Sequence, residues 1–147
     1  MALVIGVGNP MRGDDGVGAA VVEVLSTDSD IETFAFDGDG MELMVLWEGR
    51  QNVIIVDATQ SDEPAGTIMC FEAHNQELPK NLFRHSTHQF GVVEAVEMAR
   101  VLGELPERLV LIGVEGGNYD LGEGLSPPVQ RALGEAVSAV QKVCALA

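Results

Sequence analysis

A chain of 147 residues, 46% hydrophobic and with 17 glycines, is long enough for one domain with a sizeable core. Its formal net charge of −15 argues against nucleic acid or an anionic membrane surface as partner, and is compatible with a cation or a basic peptide. No apolar run approaches the roughly 20 residues of a membrane helix, and without a basic region or cleavage site at the start no signal peptide is expected, so the default compartment is the cytoplasm.

In chain order, Leu3 to Val7 reads as a buried strand, followed at once by a Gly-rich loop and the adjacent acids Asp14 and Asp15. A helix is predicted from about Asp15 to Leu25, and a second strand over Ile31 to Phe36. Asp37-Gly38-Asp39-Gly40 is a turn, and Met41 to Trp47 a short helix. Val53 to Val56 is apolar on both faces, as a central parallel strand should be, and ends at Asp57. After the loop at Ser61 to Gly66, Thr67 to Phe71 is a fourth strand at or near an edge. Glu72 to Ser86 is irregular, and a long helix runs from about Thr87 to Leu102. Leu109 to Val114 is a fifth strand, and Glu115 to Glu123 a Gly-rich loop. Ser126 can cap a last helix that opens on Pro127-Pro128 and runs to about Cys144. This alternation predicts a single α/β domain over residues 1–147. Its expected form is a three-layer α/β/α sandwich on a five-stranded, mostly parallel sheet with one antiparallel strand. Cys70 and Cys144 share no metal or redox motif and are expected reduced and buried.

The first loop does not suit a phosphate. Gly6 and Gly8 fit a dinucleotide fingerprint, but Met11 stands where its third glycine belongs. The Gly-Lys-Ser/Thr ending of a P-loop is missing. Asp14 and Asp15 also lie by the positive end of the helix dipole and would repel an anion there. The loop suits a cation better.

If the first and third strands are neighbours with the second outside the first, they flank a topological switch point, where open α/β sheets bind ligands. Asp15 follows the first strand and Asp57 ends the third. His88, in the first turn of the long helix, reaches the same crevice if that helix packs beside the third strand. Two carboxylates and an imidazole suit a divalent transition metal with open positions. Each residue also has a plainer role. Asp15 can complement the helix dipole, Asp57 can cap a turn, and His88 can be satisfied by backbone. Asp14 is assigned to hydrogen bonds with loop amides. His85 is an alternative ligand, and His74 a loop residue. Met41, Met44 and Trp47 either wall the site or pack in the core.

Five stretches, in order along the chain, resemble the nickel–iron hydrogenase maturation endopeptidases. They are Gly6 to Gly18, Asp37 to Met44, Val53 to Ala58, Ser86-Thr87-His88-Gln89, and Gly113-Val114-Glu115 with Gly124 to Val129. Asp15 replaces the Glu of some members, and the Asp37 to Gly40 loop is shorter than usual. The resemblance implies metal contact by Asp15, Asp57 and His88, and substrate contact at Gly38, Gly40, Met41 and Gln89. It implies an endopeptidase that removes the C-terminal extension of a hydrogenase large-subunit precursor after nickel insertion. The nickel would come with the substrate, and no permanent cofactor is expected. A nickel-loaded precursor is then the partner, with neither nucleic acid nor membrane, and a monomer is the working expectation. Lacking a Ser/His/Asp, Cys/His or His-Glu-x-x-His arrangement, the sequence points to water as nucleophile, with Asp15 or Asp57 as general base. The rival readings are a flavodoxin-like module for a small ligand, a peptidase with a permanent metal, and a non-catalytic chaperone of a metal-loaded partner.

Overall fold

The computed structural model describes residues 1–83 and 90–146. Five strands form one sheet: β1 (Ala2–Val7), β2 (Ile31–Phe36), β3 (Asn52–Thr59), β4 (Ile68–Glu72) and β5 (Arg108–Glu115). The order is β2-β1-β3-β5-β4, parallel throughout except for β4, which runs antiparallel to β5 at the edge. The helices are α1 (Val17–Leu25), α2 (Gly40–Trp47), α3 (Val92–Leu102) and α4 (Pro127–Ala145).

The three layers follow from the strand sequences. Side chains alternate across a strand, so a strand covered on both faces must be apolar at every position. β1 is buried along its whole length, as are Val53 to Thr59 of β3 and Leu109 to Glu115 of β5. Val4, Ile54, Val56 and Ile112 face one way, against Val21 of α1 and Val140 of α4. Leu3, Ile5, Ile55 and Leu111 face the other, against Leu43 and Trp47 of α2 and Val96 of α3. Each such aliphatic side chain contributes roughly 1.5–3 kcal/mol when fully buried. The fold class read from the sequence is therefore the observed one. Among the described residues, no helix is long and apolar enough to cross a membrane.

Close approach of α1 to β1 needs a glycine, though not the one a dinucleotide fingerprint supplies. A Cβ on Gly18 would lie 2.6 Å from the carbonyl oxygens of Val7 and Val56. The helix can cross the sheet so low only because that position is bare.

Apart from ends shifted by a single residue, three boundaries, one helix cap and one burial differ from the sequence reading. Gly13–Gly16 form a 3-10 turn, so α1 proper starts at Val17 rather than Asp15. β3 continues past Asp57 to Thr59, because Asp57, Ala58 and Thr59 pair with Gly113, Val114 and Glu115. α3 starts at Val92, not Thr87. Gly91 is its N-cap, with extended backbone, and the Gly91 amide donates to Glu94 Oε1 at 2.8 Å, which fixes the helix start there. Prolines open α4 as expected, but the Ser126 side chain does not cap it; its hydroxyl donates to Asp14 instead. Cys70, on edge strand β4, is exposed and Cys144 is half-buried, so the expectation of two buried thiols fails.

Candidate active site

The strand order makes β1 and β3 neighbours with β2 beyond β1, the arrangement that creates a switch point at their carboxyl ends. A cleft of about 230 Å³ opens there. Asp15, Asp37, Asp39 and Asp57 line it with Arg12, Tyr119, and the apolar side chains of Phe36, Leu43, Phe83 and Val92.

Asp15 reaches this cleft because of the turn that precedes α1. Its Oδ2 accepts from the Asn9 amide at 2.7 Å, which draws the carboxylate back over the end of β1. The Asn9 side chain in turn accepts from the Met11 amide at 2.9 Å and closes the loop on itself.

Asp57 comes from the sheet. Its residue is 5% exposed and its Oδ1 accepts from its neighbour's amide, Ala58, at 2.8 Å. Burial pushes its carboxyl well above the usual range, and the charges of Asp15 and Asp37 push it further. The Ala58 bond opposes these effects without cancelling them. Asp15 and Asp57, distant in sequence, thus share one cleft and one electrostatic environment.

The α2 side of the cleft is built by Asp37 to Gly40. Asp39 caps α2, with Oδ1 accepting from the Met41 and Glu42 amides at 3.0 and 3.1 Å. The Gly40 amide donates to the Phe90 carbonyl at 2.6 Å, and a Cβ on Gly40 would meet Phe90 Cδ1 at 2.5 Å and the Gly91 oxygen at 2.7 Å. Of the residues for which the resemblance implies substrate contact, Gly38 and Gly40 line the cleft, and Met41 is 54% exposed outside its lining. Of the α2 side chains, Leu43 lines the cleft, and Met41, Met44 and Trp47 do not; Trp47 packs in the core.

The assignments of His88, Gln89 and the alternative His85 lie outside the described residues. Among the described residues, no three His, Cys, Asp or Glu side chains form a group able to hold a metal ion. His74 is at the opposite end of the sheet, with Nδ1 at 3.1 Å from the Leu109 backbone.

Asp14 has the supporting role assigned to it, on a larger scale than the sequence suggested. It is fully buried. Its Oδ2 accepts from the amides of Gly117 and Asn118 at 2.7 and 2.9 Å and from Ser126 Oγ at 2.7 Å. Its Oδ1 accepts from the Ser126 amide at 2.7 Å. Burial raises the carboxyl, but these four donors outweigh it and leave the group below its ordinary value.

Glu115 is the buried acid that residue chemistry alone did not single out. It is 2% exposed and accepts from Thr59 Oγ1, Ser61 Oγ and the Ser61 amide, each at 2.8 Å. Gln60, between those residues, donates from its amide to the Leu82 carbonyl, next to Phe83 in the cleft wall. The Tyr119 hydroxyl donates to the Thr59 carbonyl at 2.6 Å and titrates well above its usual range, through burial and then the charges of Glu115, Asp14, Asp57 and Asp15. A charged residue closing the apolar run Leu109 to Val114 was the available signal for Glu115.

The hydrogenase maturation protease family model matches residues 35–143. The hydrogenase 2 maturation protease of Escherichia coli K12 is 34% identical over 145 residues, spanning 94% of this chain and 87% of that protein. The chain belongs to the hydrogenase maturation protease family. Solved structures of the family superpose on it closely. The hydrogenase maturating endopeptidase HybD from E. coli gives a TM-score of 0.77 at 30% identity, with 95% of this chain and 88% of that one covered. The solution structure of an E. coli endopeptidase gives 0.81 at 29% identity, with 97% and 90% covered. As a hydrogenase maturation protease the chain is a peptide hydrolase, and the acid-lined cleft is its candidate active site.

Proposed function

We propose that this maturation protease removes the C-terminal extension from a nickel–iron hydrogenase large-subunit precursor once nickel has been inserted, and that Asp15, Asp57 and His88 recognise that nickel in the substrate. The observation that carries the reading is the meeting of Asp15 and Asp57 in one cleft at the switch point, with Asp57 buried and under the influence of the Asp15 charge. Carboxylates so placed favour a cation, and they disfavour the phosphate or flavin that a flavodoxin-like module would take.

The proposed chemistry is hydrolysis by water. Water adds to the scissile carbonyl carbon, its proton passes to Asp15 or Asp57, and the carbonyl π pair moves onto oxygen. Collapse breaks the C–N bond, and the leaving amine takes up the proton. The substrate's nickel fixes the scissile bond over the two carboxylates and polarises its carbonyl.

The test is cleavage of nickel-loaded and nickel-free precursor, read as loss of mass from the large subunit. Wild type should cut only the loaded form, and Asp15→Ala, Asp57→Ala and His88→Ala should each fail. If all three variants cut like wild type, the site is misassigned. If the nickel-free precursor is cut equally well, recognition does not run through the metal.

A further inference from the structure

Addition of water to a peptide carbonyl places a full negative charge on the carbonyl oxygen, and donors already aimed at that oxygen are commonly the largest single contribution to such catalysis. This cleft is rich in groups of the opposite tendency: four carboxylates, of Asp15, Asp37, Asp39 and Asp57, line it. Among the described residues of the lining, Arg12 alone has a side chain with permanent positive charge.

The Arg12 backbone is held from both sides. Its amide donates to the Asn9 carbonyl and its carbonyl accepts from the Asp15 amide, each at 3.1 Å, so it shares one turn with the Asp15 carboxylate. Across the loop it pairs with Gly122. There the Gly122 amide donates to the Met11 carbonyl at 2.7 Å, and the Gly13 amide to the Gly122 carbonyl at 2.9 Å. The backbone is thus fixed beside Asp15, and the exposed Arg12 side chain it carries lines the cleft. Its five N–H donors suit an oxygen that gains charge in the transition state.

We propose that Arg12 is a further catalytic residue of this peptidase, donating hydrogen bonds to the scissile carbonyl oxygen and stabilising the oxyanion formed when water adds. No atom is transferred to or from Arg12; the proton follows the path already given. The proposal rests on the reading of the Asp15–Asp57 cleft as the place of attack.

The experiment uses a nickel-loaded large-subunit precursor that the wild-type protein cleaves, with Arg12→Ala and Arg12→Lys compared with Asp15→Ala and Asp57→Ala. Arg12→Ala should lower kcat about 100- to 1,000-fold, with KM changed less than about threefold, because the bond forms only in the transition state. Arg12→Lys should recover part of kcat, and free guanidinium at millimolar concentration should restore part of the activity of Arg12→Ala. Unchanged unfolding curves would show that both variants fold. An unchanged kcat, or a rise confined to KM, overturns the proposal while leaving the cleft assignment standing. If Asp15→Ala and Asp57→Ala also cut like wild type, the cleft assignment itself has failed and this role falls with it.

Discussion

Replacing Asp14 by Asn changes one atom and, on the geometry, costs far more than a surface substitution. The carboxylate receives four donors and offers none. In the better of its two orientations the asparagine oxygen takes the place of Oδ2 and keeps the bonds from Gly117, Asn118 and Ser126 Oγ. Its NH2 then faces the Ser126 amide, donor against donor, where the wild-type contact is 2.7 Å. A buried donor left without an acceptor costs about 1–3 kcal/mol, and three bonds fall from about 1.5–3 kcal/mol, typical for a charged acceptor, to about 1. Relief from burying the charge offsets part of this. The expected loss is about 3 kcal/mol, a fall in Tm of roughly 6–12 °C for a domain near this size.

Urea unfolding of wild type and variant between pH 3 and pH 8 measures it. The sign follows from the lowered carboxyl of Asp14. A group whose folded value lies below its unfolded value stabilises fully above the unfolded value of about 3.9, and loses that contribution as pH falls through the folded one. The gap between the two proteins should be constant from pH 5 to 8 and narrow in acid. A gap under about 0.5 kcal/mol at pH 7, the range of an unremarkable surface change, would refute the claim that Asp14 clasps the loop.

Asp57 has the opposite sign. Its raised folded value means that the folded chain binds more protons than the unfolded one above about pH 4, so its contribution erodes stability by up to about 1.4 kcal/mol per pH unit until the folded value is passed. Asp57→Asn, which keeps an acceptor for Ala58, should therefore be more stable than wild type near neutrality and inactive, with the difference shrinking in acid; equal curves at all pH would contradict it. Glu115→Gln should cost only about 1 kcal/mol, less than Asp14→Asn, because its hydroxyl partners on Thr59 and Ser61 can rotate to accept while its oxygen keeps the Ser61 amide; a loss equal to that of Asp14→Asn would argue otherwise. Gly40→Ala should cost about 1–3 kcal/mol and impair cleavage, since the new methyl strikes Phe90 and the Gly91 carbonyl beside the cleft; thermal melts and precursor cleavage at wild-type rate would count against it.

What the sequence disclosed and what it withheld divide along physical lines. β1, β3 and β5 were legible because a strand covered on both faces must be a continuous apolar run. Asp57 was legible as the polar residue ending such a run, although its strand continues, because pairing with Gly113 to Glu115 depends on a partner that no local window contains. The start of α3 was misplaced because a threonine is a sound N-cap by local rules, whereas the cap is formed at Gly91, whose amide donates to Glu94. Ser126 shows the same limit. A serine before two prolines is a sound N-cap by local rules, yet its hydroxyl is taken by a carboxylate from the first loop.

That last exchange explains how two adjacent acids come to have different work. In a 3-10 turn, successive side chains diverge by about 120°. Asp14 therefore points toward the Gly117–Ser126 segment while Asp15 turns back over β1 to Asn9. The fully buried carboxylate is spent on backbone and hydroxyl donors and has no oxygen to offer a substrate. Its neighbour, held by the Asn9 amide, lines the cleft. The two roles are coupled. Because Asp14 and the Arg12–Gly122 pairing tie the first loop to the segment between β5 and α4, the position of Asp15 depends on contacts far away in sequence. A local motif could therefore divide the two acids between loop and crevice, but the donors that hold Asp14, from Gly117, Asn118 and Ser126, lie beyond any local window.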